Sequence, residues 1–135
     1  MKKALNIDSE NLSANHQKLV NATIESISQR GLSETTIAHV STLAGVSQGY
    51  AHFRFKSKEN LLISSLQYLS NEYMDSWIRI FEEEDLPALN RLIKIIENDF
   101  HSRIASRKKI AVWFSFYSEV KFIPAYQSIC HDQDK

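Results

Sequence analysis

The chain has 135 residues, enough for one domain or for a small domain and part of another. Its 16 Lys and Arg residues balance its 16 Asp and Glu residues, so net charge gives no reason to expect a polyanionic partner. Cys130 is the only cysteine, which excludes an internal disulfide, and no apolar run approaches the roughly 18 residues of a membrane span. The sequence therefore predicts a soluble cytoplasmic protein that does not use a membrane as a partner.

The first predicted helix follows a polar arm. Residues 1–14 show no apolar period, and we expect them to be irregular. From Asn15 onward apolar residues recur at helical spacing as far as Gly31, a residue typical of a helix end. The apolar face of this helix consists of Leu19, Val20, Thr23, Ile24 and Ile27.

Two short helices joined by a glycine come next. Ser33 and Thr35 are the candidate N-caps of the second helix. Its apolar face consists of Ile37, Val40 and Leu43. Gly45 ends the helix by adopting the left-handed conformation, and Ser47 is well placed to cap the third helix.

Four more helices are predicted in the rest of the chain. Ser57 caps a long fourth helix that reaches the acidic residues 82–85, and Pro87 suits the first turn of a fifth. The apolar face of the fifth helix consists of Leu89, Leu92, Ile93, Ile96 and Phe100. Residues 106–122 form a sixth helix, and Pro124 opens a seventh. No segment sustains a period of two, so the predicted fold class is all-α.

The second and third helices have the pattern of a helix-turn-helix. Gly45 permits the turn, and Gly49 lies on the exposed first turn of the third helix, where a missing side chain lets backbone approach a groove or a phosphate. Ala51 and Phe55, four residues apart, are the expected buried side. The same spacing is also that of an ordinary helical hairpin with an aromatic core, so the pattern alone leaves both interpretations open.

A longer stretch carries a resemblance. The run TTIAHVSTLAGVSQGYAHFRFKSKENLL, residues 35–62, resembles the DNA-binding region of the TetR family of bacterial transcriptional regulators, and within it the repressors of choline-to-betaine genes. The resemblance covers residues 14–75 well and residues 105–126 loosely. It implies a helix-turn-helix DNA-binding domain over residues 13–73, with the motif at about 36–55. Residues 74–135 would then be an incomplete helical domain for ligand binding and dimerisation.

The resemblance also implies roles for single residues in binding a double-stranded DNA operator. Thr36 and Lys58 would meet backbone phosphates, and the helix start at Ser47 favours a phosphate as well. The residues expected to face bases are Gln48, Gly49 and Tyr50, and those expected against the sugar-phosphate wall are His52 and Phe53. His52 stands where the family usually has tyrosine, and Tyr50 is larger than the usual threonine or isoleucine.

An aromatic cluster on the sixth helix has two interpretations. Trp113, Phe116 and Tyr117, with Phe114 beside them, could line an effector pocket between the last three helices. In choline-related relatives such rings could hold a quaternary ammonium through cation–π attraction. An aromatic stripe at this spacing is also typical of an ordinary core. The five histidines show no metal-ligand spacing, and no catalytic arrangement is evident, so we expect neither a cofactor nor enzymatic activity.

The resemblance therefore predicts a DNA-binding repressor that acts as a homodimer and is released by a small-molecule effector. Self-association is expected through residues 106–126, because rings on the sixth helix that normally lie under further helices would be exposed. An alternative is that the chain is a truncated subunit that does not repress alone and pairs with a full-length relative.

Overall fold

Helices account for all the regular secondary structure in a computed structural model that describes the backbone of residues 2–132 and the side chains of residues 13–131. In chain order they are α1 (Lys2–Glu34), α2 (Ile37–Ala44), α3 (Gln48–Phe55), α4 (Lys58–Phe81), α5 (Ala88–Asp99), α6 (Arg107–Val120) and α7 (Pro124–Asp132). No strand occurs among the described residues, which confirms the predicted all-α class. No helix in this part of the chain is both long enough and apolar enough to cross a membrane.

The first helix differs from its prediction at one end. It begins at Lys2 rather than near Asn15, so the expectation of an irregular arm was wrong, although the side chains of residues 1–12 lie outside those described. Extending a helix that has already formed needs no new nucleus, so a polar segment can continue it. At the other end Gly31 has φ 81° and ψ 175°, which interrupts the helix where its end was predicted.

The contacts divide the chain into two compact units, and the first, Met1–Ser65, contains α1, α2, α3 and the start of α4. In this unit α1 packs against α2, and α2 packs against α3. The fully or nearly fully buried apolar side chains are Leu19, Val20, Ala22, Ile24, Ile27, Ile37, Val40, Ala51, Phe55, Leu61 and Leu62. Nearly all of them lie at the helical spacings read from the sequence, so the apolar periodicity there identifies a real core.

The cap of α2 differs from the predicted one. Thr36 is the N-cap, and its side-chain oxygen accepts a hydrogen bond from the backbone N–H of His39. Thr35 is buried instead. Its hydroxyl donates to the carbonyl oxygen of Gly31 at 2.8 Å and lies 3.0 Å from the Ser26 hydroxyl. The predicted caps, Ser33 and Thr35, were therefore wrong by three residues and by one. The Thr35 hydroxyl does not cap α2 because it bonds to Gly31 and Ser26 on α1.

The second unit, Leu66–Lys135, contains the rest of α4 together with α5, α6 and α7. In this unit α6 packs against α7. The ring of Phe116 meets the ring of Tyr126 edge-on, at a centroid distance of 5.2 Å and an angle of 86°. Val112 and Ile129 are also buried in the unit. This core consists of a few side chains, and α5 contributes no buried residue to it.

Candidate nucleic-acid interface

The turn between α2 and α3 is fixed by backbone hydrogen bonds. Gly45 adopts φ 66° and ψ 32°, the left-handed conformation that glycine takes without strain. Its N–H donates to the carbonyl of Thr42 at 3.2 Å, and the N–H of Val46 donates to the carbonyl of Ser41 at 3.0 Å. These bonds satisfy the last carbonyl groups of α2 and direct the chain into α3 within a few residues.

The third helix is short and capped at its first end by a side chain. Ser47 accepts a hydrogen bond from the backbone N–H of Tyr50 at 3.1 Å, as the sequence predicted for a cap at this position. The helix ends at Lys56, which has φ 71° and donates its N–H to the carbonyl of His52. Ala51 and Phe55 are buried, as predicted for its inner side.

The opposite side of α3 faces solvent. Gln48, Gly49 and His52 are exposed, Tyr50 is half-buried, and Phe53 retains 70% of its side-chain exposure. A Cβ atom built on Gly49 would meet no atom within 4 Å. The fold of this unit therefore does not require a glycine at position 49 for space, and the φ of Gly49 is not in the left-handed region. The residues predicted to read bases therefore lie together on this face of α3.

The formally charged side chains between Thr36 and Lys58 are all basic. No Asp or Glu occurs in the sequence between Thr36 and Lys58, whereas Arg54 and Lys56 are both exposed. The Lys56 ammonium lies 4.8 Å from the ring centroid of Phe53, within cation–π distance. No role was predicted for Arg54 or Lys56 from the sequence. The two residues are close together in the sequence, but only the structure shows that both are exposed beside the outer face of α3.

Two predicted phosphate contacts lie near the start of α2. Thr36 is exposed, and although its oxygen caps α2 its hydroxyl hydrogen remains available for a further acceptor. The ammonium of Lys58 donates to the carbonyl of Ser33 at 2.9 Å, which holds the first residue of α4 against the end of α1. An ammonium has three donors, so one bond to a carbonyl leaves donors for a phosphate.

One histidine of α1 lies behind α3. The His16 ring tilts against the ring of Phe55 at a centroid distance of 5.0 Å, and its Nδ1 atom is buried with no hydrogen-bond partner. Burial is the main cause that lowers the pKa of His16 below its usual value, and the charge of Arg54 lowers it further. The neutral ring is therefore the form that fits this position.

The aromatic residues predicted for an effector pocket are dispersed. Phe116 has no exposed surface and belongs to the core with Tyr126, whereas Phe114 is 71% exposed. The rings of Trp113 and Tyr117 stack at a centroid distance of 5.7 Å. The expectation that these rings are exposed together does not hold for Phe116, because every third or fourth residue of a helix faces the same side and Phe116 faces inward with Val112.

A cavity of about 680 Å³ lies elsewhere in the second unit. Its lining residues come from α4, α5 and the segment after α5: Glu72, Ser76, Arg79, Ile80, Lys94, Glu97, Asn98, His101, Arg103 and Ile104. The lining is mostly polar and charged, and it includes none of the predicted rings. Within the described residues no three His, Cys, Asp or Glu side chains are grouped as metal ligands.

Comparison with known proteins relates this chain to one family of regulators. The family model for bacterial regulatory proteins of the tetR family matches residues 19–64, which include α2 and α3. The HTH-type transcriptional regulator BetI of Brucella canis is 30% identical over 101 residues, or 75% of this chain and 50% of the relative. BetI of Rhizobium meliloti is 30% identical over 103 residues, or 76% and 50%. The chain spans about half the length of these curated relatives.

Solved structures show the same fold at lower sequence identity. A TetR family regulator from Marinobacter aquaeolei matches with a TM-score of 0.80 and 17% identity, over 93% of this chain and 65% of the other. A transcriptional regulator from Saccharomonospora viridis, solved in complex with choline, matches with a TM-score of 0.77 and 20% identity, over 90% and 62%. The helix-turn-helix, the family model and these relatives agree, and the chain belongs to the TetR family of bacterial regulatory proteins.

Proposed function

We propose that this chain is a sequence-specific DNA-binding regulator of transcription, that it acts as a repressor, and that a small molecule releases it from its operator. One observation carries the proposal: the outer face of α3 presents Gln48, Gly49 and Phe53 to solvent, in a unit whose own packing requires none of them there. A large aromatic ring and a glycine kept on an exposed helix face suit a surface that docks against another molecule.

The chemistry of this face favours DNA as the docked molecule. The first turn of α3 carries unpaired N–H groups and the positive end of the helix dipole, both of which attract a phosphate. Arg54 and Lys56 add positive charge at the other end of the helix. An α-helix fits the major groove, where the amide of Gln48 has the geometry to bond adenine at two points. Phosphate contacts by Thr36 and Lys58 would fix the register of the helix in the groove.

Repression needs two such helices. Palindromic operators are read by dimers whose recognition helices lie about 34–36 Å apart, one turn of DNA. We therefore propose that the chain binds its operator as a homodimer in the cytoplasm. The role of a truncated subunit, which pairs only with a longer relative, makes the opposite prediction: the pure chain would show no preference for a palindrome over a half-site.

The effector is proposed to be a small organic cation. The regulator from Saccharomonospora viridis contains choline, and stacked Trp113 and Tyr117 are the rings on α6 best able to attract a quaternary ammonium. Choline is accordingly the first compound to titrate, with glycine betaine as a zwitterionic comparison. Trp113→Ala should weaken choline binding if these rings form the site, and it should leave the binding unchanged if the charged cavity beside α4 and α5 is used instead.

A matched pair of variants tests the proposed function. Phe53 on α3 and Phe114 on α6 are almost equally exposed, at 70% and 71%, so each Phe→Ala change removes a similar apolar surface. Fluorescence anisotropy with labelled genomic duplex fragments, at about 50 mM salt, measures binding by each protein. Phe53→Ala should weaken binding at least tenfold, and Phe114→Ala should leave it unchanged. Equal effects of the two changes, or no binding by the wild-type chain, would contradict DNA binding through α3.

A further inference from the structure

The peptide group that joins α3 to the turn before α4 is hydrogen-bonded on both sides. Its carbonyl, which belongs to Phe55, accepts a hydrogen bond from the side-chain amide of Asn60 at 2.9 Å. Its N–H, which belongs to Lys56, donates to the carbonyl of His52 at 2.9 Å. One bond comes from α3 itself and the other from the first turn of α4. The plane of this peptide is therefore fixed by two different helices.

The chain is fixed again immediately after Lys56. The hydroxyl of Ser57 accepts a hydrogen bond from the backbone N–H of Asn60 at 3.1 Å, and its carbonyl accepts one from the N–H of Leu61 at 3.2 Å. Lys56 must connect the two fixed segments, and it does so at φ 71° and ψ −40°. These angles are close to those of the γ-turn at about +75° and −65°, which is rare and strained. Lys56 is the only described residue other than glycine with a positive φ.

Asn60 lies where a side chain usually serves its own helix. The third residue after an N-cap serine is commonly Glu or Gln, whose side chain reaches back to the N–H of the serine. Asn60 has this position relative to Ser57, but its amide bonds the last residue of α3 instead. Backbone strain persists only where surrounding contacts hold it, and it is concentrated at functional sites. The Asn60 amide is the part of this support that comes from outside α3.

The strained turn carries the Lys56 side chain over the outer face of α3. Its ammonium lies 4.8 Å from the centroid of the Phe53 ring, and both residues are exposed. The ammonium of Lys58, by contrast, donates to the carbonyl of Ser33. Among the described residues no carboxylate pairs with Lys56. Its charge is therefore available to an anion that lies beside α3.

We propose that Asn60 is a positioning residue for DNA binding: its amide holds the strained turn that sets the Lys56 ammonium against a backbone phosphate. The inference rests on the proposed docking of α3 against DNA, and it adds a residue of α4 that does not itself contact the duplex. A phosphate is the acceptor that suits Lys56, because a lysine ammonium is a compact point charge. Such contacts fix position and carry no sequence information, so the effect should be the same on specific and random duplexes.

Two substitutions at position 56 separate the strain from the charge. Lys56→Gly removes both, because glycine takes a positive φ without strain, whereas Lys56→Gln removes the charge and keeps the strain. Without DNA, the melting temperature should rise by about 2–5 °C in Lys56→Gly and should not rise in Lys56→Gln. In fluorescence anisotropy with a random duplex at about 50 mM salt, both variants should bind on the order of tenfold more weakly. Both should also reduce the slope of log K against log salt by about 0.9.

Asn60→Ala tests the positioning role. It should weaken DNA binding by roughly three- to tenfold, the change that corresponds to the loss of one hydrogen bond. The matched control is Asn71→Ala, which removes another exposed asparagine of α4 and should leave binding unchanged. Asn60→Ala is then repeated in the Lys56→Gly chain, where no ammonium remains to be positioned. There it should leave the affinity unchanged, whereas a merely structural role would weaken binding by the same factor in both backgrounds.

The proposal is overturned if Asn60→Ala binds DNA with wild-type affinity, or if its effect is as large in the Lys56→Gly chain. A melting temperature of Lys56→Gly no higher than that of the wild type would also overturn it, because the turn would then store no strain. A wild-type chain that binds no duplex would contradict the proposed function itself, and the positioning role would fall with it. Circular dichroism checks that every variant keeps the wild-type helix content.

Discussion

Replacing Gly49 with alanine separates a structural role for this residue from a role in DNA binding. A Cβ atom at position 49 would meet nothing within 4 Å in the protein itself, and the backbone there is not left-handed. Alanine is favoured over glycine in a helix by about 0.5–1 kcal/mol. Gly49→Ala should therefore raise the free energy of unfolding by up to this amount, or leave it unchanged.

The same methyl group should weaken DNA binding. If α3 enters the major groove by its first turn, the Cβ atom added by Gly49→Ala would lie where backbone otherwise approaches the DNA. Forcing one methyl group into a well-packed contact costs about 1–3 kcal/mol. This corresponds to a roughly 5- to 150-fold increase in the dissociation constant for each recognition helix.

Gly45→Ala is the control for this prediction. Position 45 also has space for a Cβ atom, but its φ of +66° is left-handed, and an alanine there loses about 1–2 kcal/mol of stability. From the highest melting temperature to the lowest, the order should be Gly49→Ala, wild type and Gly45→Ala. Fluorescence anisotropy, measured below the lowest of these temperatures, should show weakened DNA binding for Gly49→Ala alone. Wild-type affinity in Gly49→Ala would refute the placement of this turn against DNA.

Three further predictions concern charge, base reading and pH. Lys58→Ala should weaken binding to specific and random duplexes alike. It should also lower the slope of log K against log salt by about 0.9 for each lost phosphate contact. An effect confined to the specific duplex would exclude a phosphate contact by Lys58. Gln48→Ala should relax the base preference at one position of each half-site. In a randomised-operator selection, the loss of discrimination at that position should be about 1–3 kcal/mol. An unchanged preference would show that Gln48 does not read a base. Because burial against Phe55, and then the charge of Arg54, lower the pKa of His16, the unfolded chain binds its proton more readily than the folded chain. The contribution of neutral His16 to the free energy of unfolding should be fully present above about pH 6.5, and it should be lost as the pH falls from there toward the lowered pKa. The variant His16→Gln should flatten this part of the plot of melting temperature against pH.

The first unit of the fold was largely predictable from the sequence. Gly45, Ser47 and the spacing of Ala51 and Phe55 are local signals, and each has the expected conformation, cap or burial in the structure. The cap of α2 was not predictable, since two adjacent threonines offer the same hydroxyl. The buried Ser26 on α1 decides between them by engaging Thr35, and that contact depends on tertiary packing.

The second unit shows where periodicity stops being informative. The apolar face of α5 was identified correctly from the spacing of Leu89, Ile93 and Ile96, but periodicity does not say what lies against a face. Among the described residues Leu89, Ile93 and Ile96 are exposed, whereas Asn98 donates a hydrogen bond to the hydroxyl of Ser76 on α4. On α6 the rings of Phe114 and Phe116 look alike in the sequence, and only their positions around the helix make one exposed and the other buried.

A selection from a library of random duplexes tests the central claim most directly. The wild-type chain is applied at a concentration where it binds, and the bound sequences are compared with those recovered by a chain carrying both Gln48→Ala and Phe53→Ala. Reading of DNA through α3 predicts an enriched palindrome whose half-site centres lie about one helical turn apart, and loss of that enrichment in the double variant. Recovery of the same sequences by both proteins, or no enrichment by the wild type, would contradict it.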